Sequence, residues 1–205
     1  MKIRAYITAY DRPEMLKQVV ERFLEFDIEP IIYEDGVTHP HRGKKGFWKT
    51  WDEILKDCKE NEADLYIFTQ DDHLDMDIER IIEYHKQMTE PYVFNLENDG
   101  RHQQWRLFPK LPPKDGIQRV GFSDCTFFCG RKTLDLFGYE MEEPPASWWQ
   151  QSPNISSGVG WRFTVGFTKL KIPMYKPVKS LSYHGGHESK MHPEERKKNP
   201  LKSRH

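Results

Sequence analysis

Short apolar runs alternate with helical patterns along the first ninety residues of the chain. Apolar runs of strand length occupy residues 3–9, 31–33 and 65–68. Apolar residues at helical spacing occupy residues 15–24, 47–58 and 78–88. The third run is continuous, as in a strand that is buried on both faces. This strand–helix order predicts an α/β fold with a mostly parallel central sheet flanked by helices and joined by right-handed crossovers.

The helix after the first strand has a recognisable start signal. Asp11 is a candidate N-cap, Pro13 suits the first turn, and Glu14 stands at the capping-box position. The second half of the chain is less regular. Strands are predicted at 92–96, 105–108 and 120–129, a short helix near Leu134, a loop at 144–157, a helix at 161–170 and an extended segment at 174–183.

Composition narrows the class of protein. The chain has 205 residues and is 13% aromatic, which argues against disorder and for one domain over 1–205. Its net charge of -1 gives no general attraction to nucleic acid or anionic membrane. From Lys179 onward, however, seven Lys or Arg face three Glu. This basic tail is either simply solvated or contacts a polyanionic partner.

Compartment signals are equally sparse. Three cysteines without metal-type spacing predict no disulfide framework, which fits a reducing cytoplasm. No stretch approaches the ~20 apolar residues of a membrane span, and the N-terminus lacks the apolar segment of a signal peptide. We therefore expect a cytoplasmic protein (host cytoplasm if it is viral). The oligomeric state is left open.

An acidic pair follows the buried strand. The run Thr69-Gln70-Asp71-Asp72-His73 stands where open α/β sheets bind ligands, at the carboxyl end of a strand. Two adjacent carboxylates need a neighbouring cation, and a divalent metal carrying a diphosphate would supply it, with hard oxygen ligands suiting Mg²⁺ or Mn²⁺. The alternative is a turn that caps the next helix.

The chain resembles the GT-A glycosyltransferases, and family 2-like members in particular, over roughly residues 1–135. The resemblance rests on Ile7-Thr8-Ala9-Tyr10 after the first strand, Asp35-Gly36 after the second and Gln70-Asp71-Asp72 after the third. It implies a Rossmann-like GT-A fold with a smaller antiparallel acceptor-side portion. Residues 1–100 would form the nucleotide-sugar half, 101–178 the acceptor half, and 179–205 a histidine loop and tail.

The resemblance also implies a donor site for a UDP-linked sugar with Mn²⁺ or Mg²⁺. Asp72 would be the principal metal ligand, and Asp71 would face the ribose or the metal. Asp35 would contact the uracil or ribose, and Gln70 stands where an acid can stand. The remaining residues implied for the nucleotide pocket are Thr8, Tyr10, Arg12 and, near the base or phosphates, Lys45 in the loop at 44–46.

A histidine loop near the C-terminus is expected to complete the donor site. Two histidines flank two glycines at 184–187, so the backbone there can approach a phosphate or metal closely. By the resemblance, His184 would complete the metal site. His187, Ser189 and Lys190 would contact the diphosphate, with His187 favouring its departure.

The acceptor side is specified less. Asp124 is the candidate base that deprotonates an acceptor hydroxyl, and a polar residue on a half-exposed strand is the alternative. The family's acid before the late helix is absent, with Ser156-Ser157-Gly158 in that region, so retention or inversion stays open. Small size and the basic tail resemble bacteriophage glycosyltransferases that modify hydroxymethylated pyrimidines in DNA. A glycan, lipid or protein acceptor, a nucleotidyltransferase and a non-catalytic binding module are the alternatives.

Overall fold

The computed structural model describes residues 1–98, 114–150 and 156–185. The first half carries strands β1 (Ile3–Ala9), β2 (Ile31–Glu34), β3 (Leu65–Gln70), β4 (His73–Leu74) and β5 (Val93–Asn95). Its helices are α1 (Pro13–Leu24), α2 (Gly43–Glu60) and α3 (Ile78–Gln87). The second half carries β6 (Ile117–Val120), β7 (Phe127–Gly130), α4 (Arg131–Phe137), α5 (Ala146–Trp149), α6 (Val159–Lys169), β8 (Met174–Pro177) and β9 (Tyr183–His184).

The described strands form a mostly parallel sheet in the order β2-β1-β3-β7-β5-β8-β6. β1, β2 and β3 are parallel neighbours, and β5 pairs in parallel with β8. β7 and β6 run against the others. This mixed sheet confirms the predicted Rossmann-like α/β class, with the antiparallel strands on the side built by the second half.

Alternation along the central strands directs side chains into a core on each face of the sheet. On β3, Phe68 joins the core beneath α2 and α6, whereas Ile67 joins the core beneath α1 and α3. Neighbouring β1 repeats the pattern with Tyr6 and Ile7. Because both faces are covered by helices, a continuous apolar run rather than an alternating one is the sequence signature of β3. The expectation from residues 65–68 is confirmed.

Several boundaries differ from the sequence expectations. Residues 120–129 are not one strand, since β6 and β7 are separate and not adjacent in the sheet. The extended segment at 174–183 is divided into β8 and β9, and the predicted loop at 144–157 contains α5. The strand predicted at 105–108 lies outside the described residues.

The N-cap of α1 and the start of α2 also differ from prediction. α1 begins at Pro13 as predicted, but Arg12 rather than Asp11 is its N-cap. α2 begins at Gly43, inside the expected polar loop, because Asp35 caps it: the carboxylate accepts hydrogen bonds from the backbone N–H groups of Arg42 (2.5 Å) and Gly43 (2.8 Å).

A two-stranded antiparallel ribbon is the element that matters most for the site. β4 pairs with β9 in a register that sets His73 opposite His184. The N–H of Gly185 also donates to the carbonyl of Asp72 at 2.8 Å. Residues 183–185 are thereby fixed beside the end of β3. In the described part of the chain, no helix has the length and apolar character to cross a membrane.

Candidate active site

Asp71 and Asp72 lie at the carboxyl end of β3, and each is only 2% exposed. The N–H of Asp71 continues the pairing with β1 by donating to the carbonyl of Thr8 at 3.0 Å. The carboxylate of Asp71 accepts a hydrogen bond from the backbone N–H of Tyr10 at 2.8 Å. Two acidic side chains are therefore held in a buried position by the ends of two parallel strands.

Arg12 forms ion pairs with both of these carboxylates. Its Nη1 donates to Asp71 Oδ1 at 2.9 Å and to Asp72 Oδ2 at 2.7 Å. Burial nevertheless raises the pKa of Asp71 to about 6, and the neighbouring charge of Asp72 adds to the rise. The hydrogen bond from Tyr10 and the guanidinium of Arg12 oppose that rise in pKa. The cost of burying the carboxylates is only partly offset, which is typical of functional sites.

Two histidines meet Asp72 through the β4–β9 ribbon. His184 Nε2 is 3.3 Å from Asp72 Oδ2, and His73 Nε2 is 3.9 Å from Asp72 Oδ1. Within the described residues these three side chains form a group whose ligand atoms all lie within 4.8 Å of one another. The expected proximity of Asp72 and His184 is thus present, with His73 as a third potential ligand.

His73 lies against two polar partners, the buried Ser182 and the partly buried Glu97. Its Nδ1 lies 3.3 Å from Glu97 Oε1 and 3.2 Å from Ser182 Oγ. With Nδ1 beside Ser182 Oγ and the Glu97 carboxylate, Nε2 is the ring nitrogen left on the side of Asp72, as in carboxylate–histidine–metal triads. His73 was part of the sequence motif but was not predicted as a ligand, and nothing in the sequence indicated Glu97 or Ser182.

The donor set suits a divalent ion. Two ligands at right angles on one ion, each ~2.1 Å away, lie roughly 3.0 Å apart, close to the 3.3 Å between Asp72 Oδ2 and His184 Nε2. One carboxylate and two imidazoles favour a borderline ion over Mg²⁺, which prefers oxygen ligands. The residues of this group could therefore hold a metal ion.

A cavity of about 380 Å³ opens beside this group. Its walls come from the ends of β1 and β3, the first turns of α2, residues 122–125 and the start of α6. The lining residues are Thr8, Ala9, Tyr10, Arg12, Lys44, Phe47, Gln70, Asp71, Asp72, Phe122, Asp124, Cys125, Ser156, Ser157, Gly158, Val159, Gly160 and Trp161. Cationic, carboxylate, hydroxyl and aromatic groups thus face one space.

The cavity is lined by six of the nine described residues that the resemblance implies for the donor and metal sites. These six residues are Thr8, Tyr10, Arg12, Gln70, Asp71 and Asp72. Lys45 is exposed on α2, and its neighbour Lys44 lines the cavity instead. Asp35 is not part of the lining, and its carboxylate is engaged in capping α2. His187, Ser189 and Lys190 lie outside the described residues.

The wall formed by the second half contains Asp124 and the start of α6. Asp124 Oδ1 accepts from the N–H of Cys125 at 2.8 Å, and the N–H of Asp124 donates to Asn95 Oδ1 at 3.3 Å. A Cβ on Gly160 would come within 3.0 Å of the same Asp124 oxygen, so the helix backbone approaches the carboxylate closely. The Ser157 N–H donates to the carbonyl of Lys44 at 3.0 Å and joins this wall to α2.

Fold and site together define a Rossmann-like α/β protein with a candidate metal centre at the carboxyl edge of its sheet. No protein-family model matches the chain, and no curated protein matches its sequence. Among solved structures it is similar to A197 from STIV, with a TM-score of 0.52 and 14% identity over 90% of this chain and 85% of that chain. At such low identity the similarity shows a shared fold alone.

Proposed function

We propose that this protein is a metal-dependent glycosyltransferase of the GT-A type, which moves a sugar from a UDP-linked donor to an acceptor hydroxyl. One observation carries the proposal. Asp72 and His184 come from distant parts of the chain, meet at 3.3 Å, and do so beside a cavity at the carboxyl edge of parallel strands. That edge is where open α/β sheets bind nucleotides.

The chain offers a side chain for each task of the donor half. Asp72, His184 and His73 would hold Mn²⁺, which when bound supplies positive charge near the departing diphosphate. Arg12 and Lys44 line the same cavity and would contact the phosphates. Thr8, Tyr10 and Gln70 would line the nucleotide pocket. The remaining roles are those that the resemblance implies. On the side of the base they fall to Asp35 and Lys45, and on the side of the diphosphate to His187, Ser189 and Lys190.

Asp124 is our candidate base. It lines the cavity that Asp72 also lines, as a base acting on a hydroxyl at the donor carbon must. Exchanging Asp124 for Asn keeps the hydrogen bond from the N–H of Cys125 but removes the basic oxygen. We expect the variant to retain nucleotide binding and to lose transfer by about 10²- to 10⁴-fold. If the variant instead loses donor binding, Asp124 contacts the donor and is not the base.

For the acceptor we propose a hydroxymethylated pyrimidine in DNA, contacted by the basic tail. All three cysteines are buried and unpaired, which supports the reducing setting such a role requires. Retention on duplex DNA should weaken steeply with salt and disappear when residues 186–205 are deleted. Retention that ignores salt or the deletion would favour the glycan, lipid or protein acceptors.

The donor proposal is tested by a screen for Mn²⁺-dependent release of the nucleoside diphosphate from nucleotide sugars. We expect turnover with a UDP-sugar and its loss in Asp72→Asn, because one ligand of the ion is removed. Asp75→Asn is the matched control, since Asp75 is exposed two residues beyond His73 and Asn tolerates its positive φ of 50°. Equal activity of the Asp72 variant and the control would refute the metal role.

A further inference from the structure

Arg12 holds the position that a cation is expected to take between the two site carboxylates. Its Nη1 contacts both Asp71 Oδ1 and Asp72 Oδ2, and the three side chains are 11%, 4% and 3% exposed respectively. The oxygen of Asp72 that accepts from Arg12 is also the oxygen 3.3 Å from His184 Nε2. The same atom therefore belongs to an ion pair and to the candidate metal site.

Charge balance makes these two roles compete. Asp71, Asp72 and Arg12 together carry a single negative charge. A divalent ion added while Arg12 stays on Asp72 would bring two cations to one oxygen and leave a net positive charge in a buried place. A sugar diphosphate, with one negative charge on each phosphoryl group, removes that excess of positive charge and returns the net charge of the group to the single negative charge it has without the metal. Electrostatics therefore favours binding of the metal together with the diphosphate over binding of the metal alone.

The structure provides a way for Arg12 to release one carboxylate and keep the other. Asp71 is fixed independently by the backbone N–H of Tyr10 at 2.8 Å. Arg12 is the N-cap of α1: its carbonyl accepts a hydrogen bond from the N–H of Leu16 at 2.9 Å, but its φ of −141° is not helical. Its side chain already lines the cavity. Rotation about its own side-chain bonds would move the guanidinium from Asp72 toward the cavity without unwinding α1.

We propose that Arg12 is an exchangeable counter-ion: it neutralises Asp72 in the metal-free protein, leaves Asp72 when Mn²⁺ binds, and then binds the diphosphate of the donor. Mn²⁺ and the nucleotide consequently bind cooperatively, and Mn²⁺ alone binds weakly. This inference rests on the proposed function, because it requires a metal and a diphosphate in the cavity. A permanent structural ion pair would instead leave the two affinities independent of Arg12.

Calorimetry with Mn²⁺ alone, UDP alone and both together tests the exchange. In the unaltered protein we expect UDP to tighten Mn²⁺ binding by about tenfold or more, within the usual range of coupling between sites. Arg12→Gln should bind Mn²⁺ alone about tenfold more tightly, because the competing cation is gone, and its coupling to UDP should shrink. Arg22→Gln is the control. It removes the ion pair between the half-buried Arg22 of α1 and Glu25, and it should match the unaltered protein.

Thermal melting gives a readout that is independent of nucleotide. Metal-free Arg12→Gln should melt at a lower temperature than the unaltered protein, because Asp71 and Asp72 lose their counter-charge, and Mn²⁺ should restore more of that stability than it adds to the unaltered protein. If Arg12→Gln does not fold, Arg12→Lys decides. Lysine keeps the charge but loses the planar fork, so Mn²⁺ alone should bind as in the unaltered protein while coupling to UDP falls.

The outcomes separate the two proposals. If the unaltered protein binds Mn²⁺ and UDP but Arg12→Gln binds Mn²⁺ no more tightly, or Arg12→Lys keeps full coupling, Arg12 is a fixed ion pair and the exchange is wrong. If the unaltered protein binds neither Mn²⁺ nor UDP, the proposed function fails and the exchange fails with it.

Discussion

Gly158 is the position where a single added methyl group should disturb both the fold and the cavity. It is the N-cap of α6, has a φ of 62°, and lines the cavity beside Ser157. A Cβ there would stand 2.3 Å from Cζ2 and 2.8 Å from Cη2 of the Trp148 ring. Carbon atoms pack at ~3.5–4.0 Å, so the ring would have to move by more than an ångström.

The expected loss of stability has two parts. An alanine in the left-handed region costs roughly 1–2 kcal/mol in backbone strain. Overpacking against Trp148 adds roughly 1–3 kcal/mol, because the indole is held by a 2.8 Å hydrogen bond from Nε1 to the carbonyl of Ser156. Gly158→Ala should therefore lower the free energy of unfolding by roughly 2–5 kcal/mol. It should also weaken nucleotide binding, since residues 156–158 form part of the cavity wall.

Urea denaturation followed by far-ultraviolet circular dichroism measures both parts. In a Trp148→Ala background the clash partner is gone, so Gly158→Ala should cost only the backbone part. Gly138→Ala is a second control, since its φ is 102° and no atom of the described residues lies within 4 Å of an added Cβ. An equal cost of Gly158→Ala with and without Trp148 would refute the packing described for this wall.

Three further predictions concern the metal site, the thiols and pH. Glu97→Gln should weaken Mn²⁺ binding about 10- to 100-fold by calorimetry, because the carboxylate that orients His73 is neutralised, whereas Glu79→Gln, on the exposed side of α3, should not. The three cysteines should react with Ellman's reagent only after unfolding, since burial raises the pKa of each thiol, to about 12 for Cys58. Burial lowers the pKa of His85 below its unfolded value, so the native state binds fewer protons, and stability should fall as pH drops below about 6.5. Urea unfolding at several pH values should show that the free energy of unfolding falls less steeply with decreasing pH in His85→Gln. An unchanged pH dependence would contradict the role given to His85.

The sheet was accessible from sequence because its signals are local. The continuous apolar run at 65–68 predicts a strand buried on both faces, and the two acids that follow it must then lie at a strand end. The single strand predicted over 120–129 is wrong, because residues 121–126, which are mostly small or polar, lie in no strand and separate β6 from β7. Length alone does not show where such a run stops pairing.

The sequence predicts only part of the metal-binding group, for a different physical reason. His184 reaches Asp72 through the pairing of β4 with β9, and two-residue strands are too short to carry a hydrophobic period. The family resemblance indicated His184, but His73 and Glu97 become meaningful only once that pairing is known. Asp35 was assigned to the nucleotide by the same resemblance, whereas its contacts with the first N–H groups of α2 follow from where that helix begins.

The proposed metal site is tested most directly by anomalous diffraction from crystals grown with Mn²⁺ and UDP. We expect the strongest manganese peak within bonding distance of Asp72 and His184, with the diphosphate in the adjoining cavity and the guanidinium of Arg12 turned from Asp72 toward it. A manganese peak that touches neither Asp72 nor His184, or a nucleotide bound in this cavity without manganese beside it, would contradict a metal-dependent donor site in this protein.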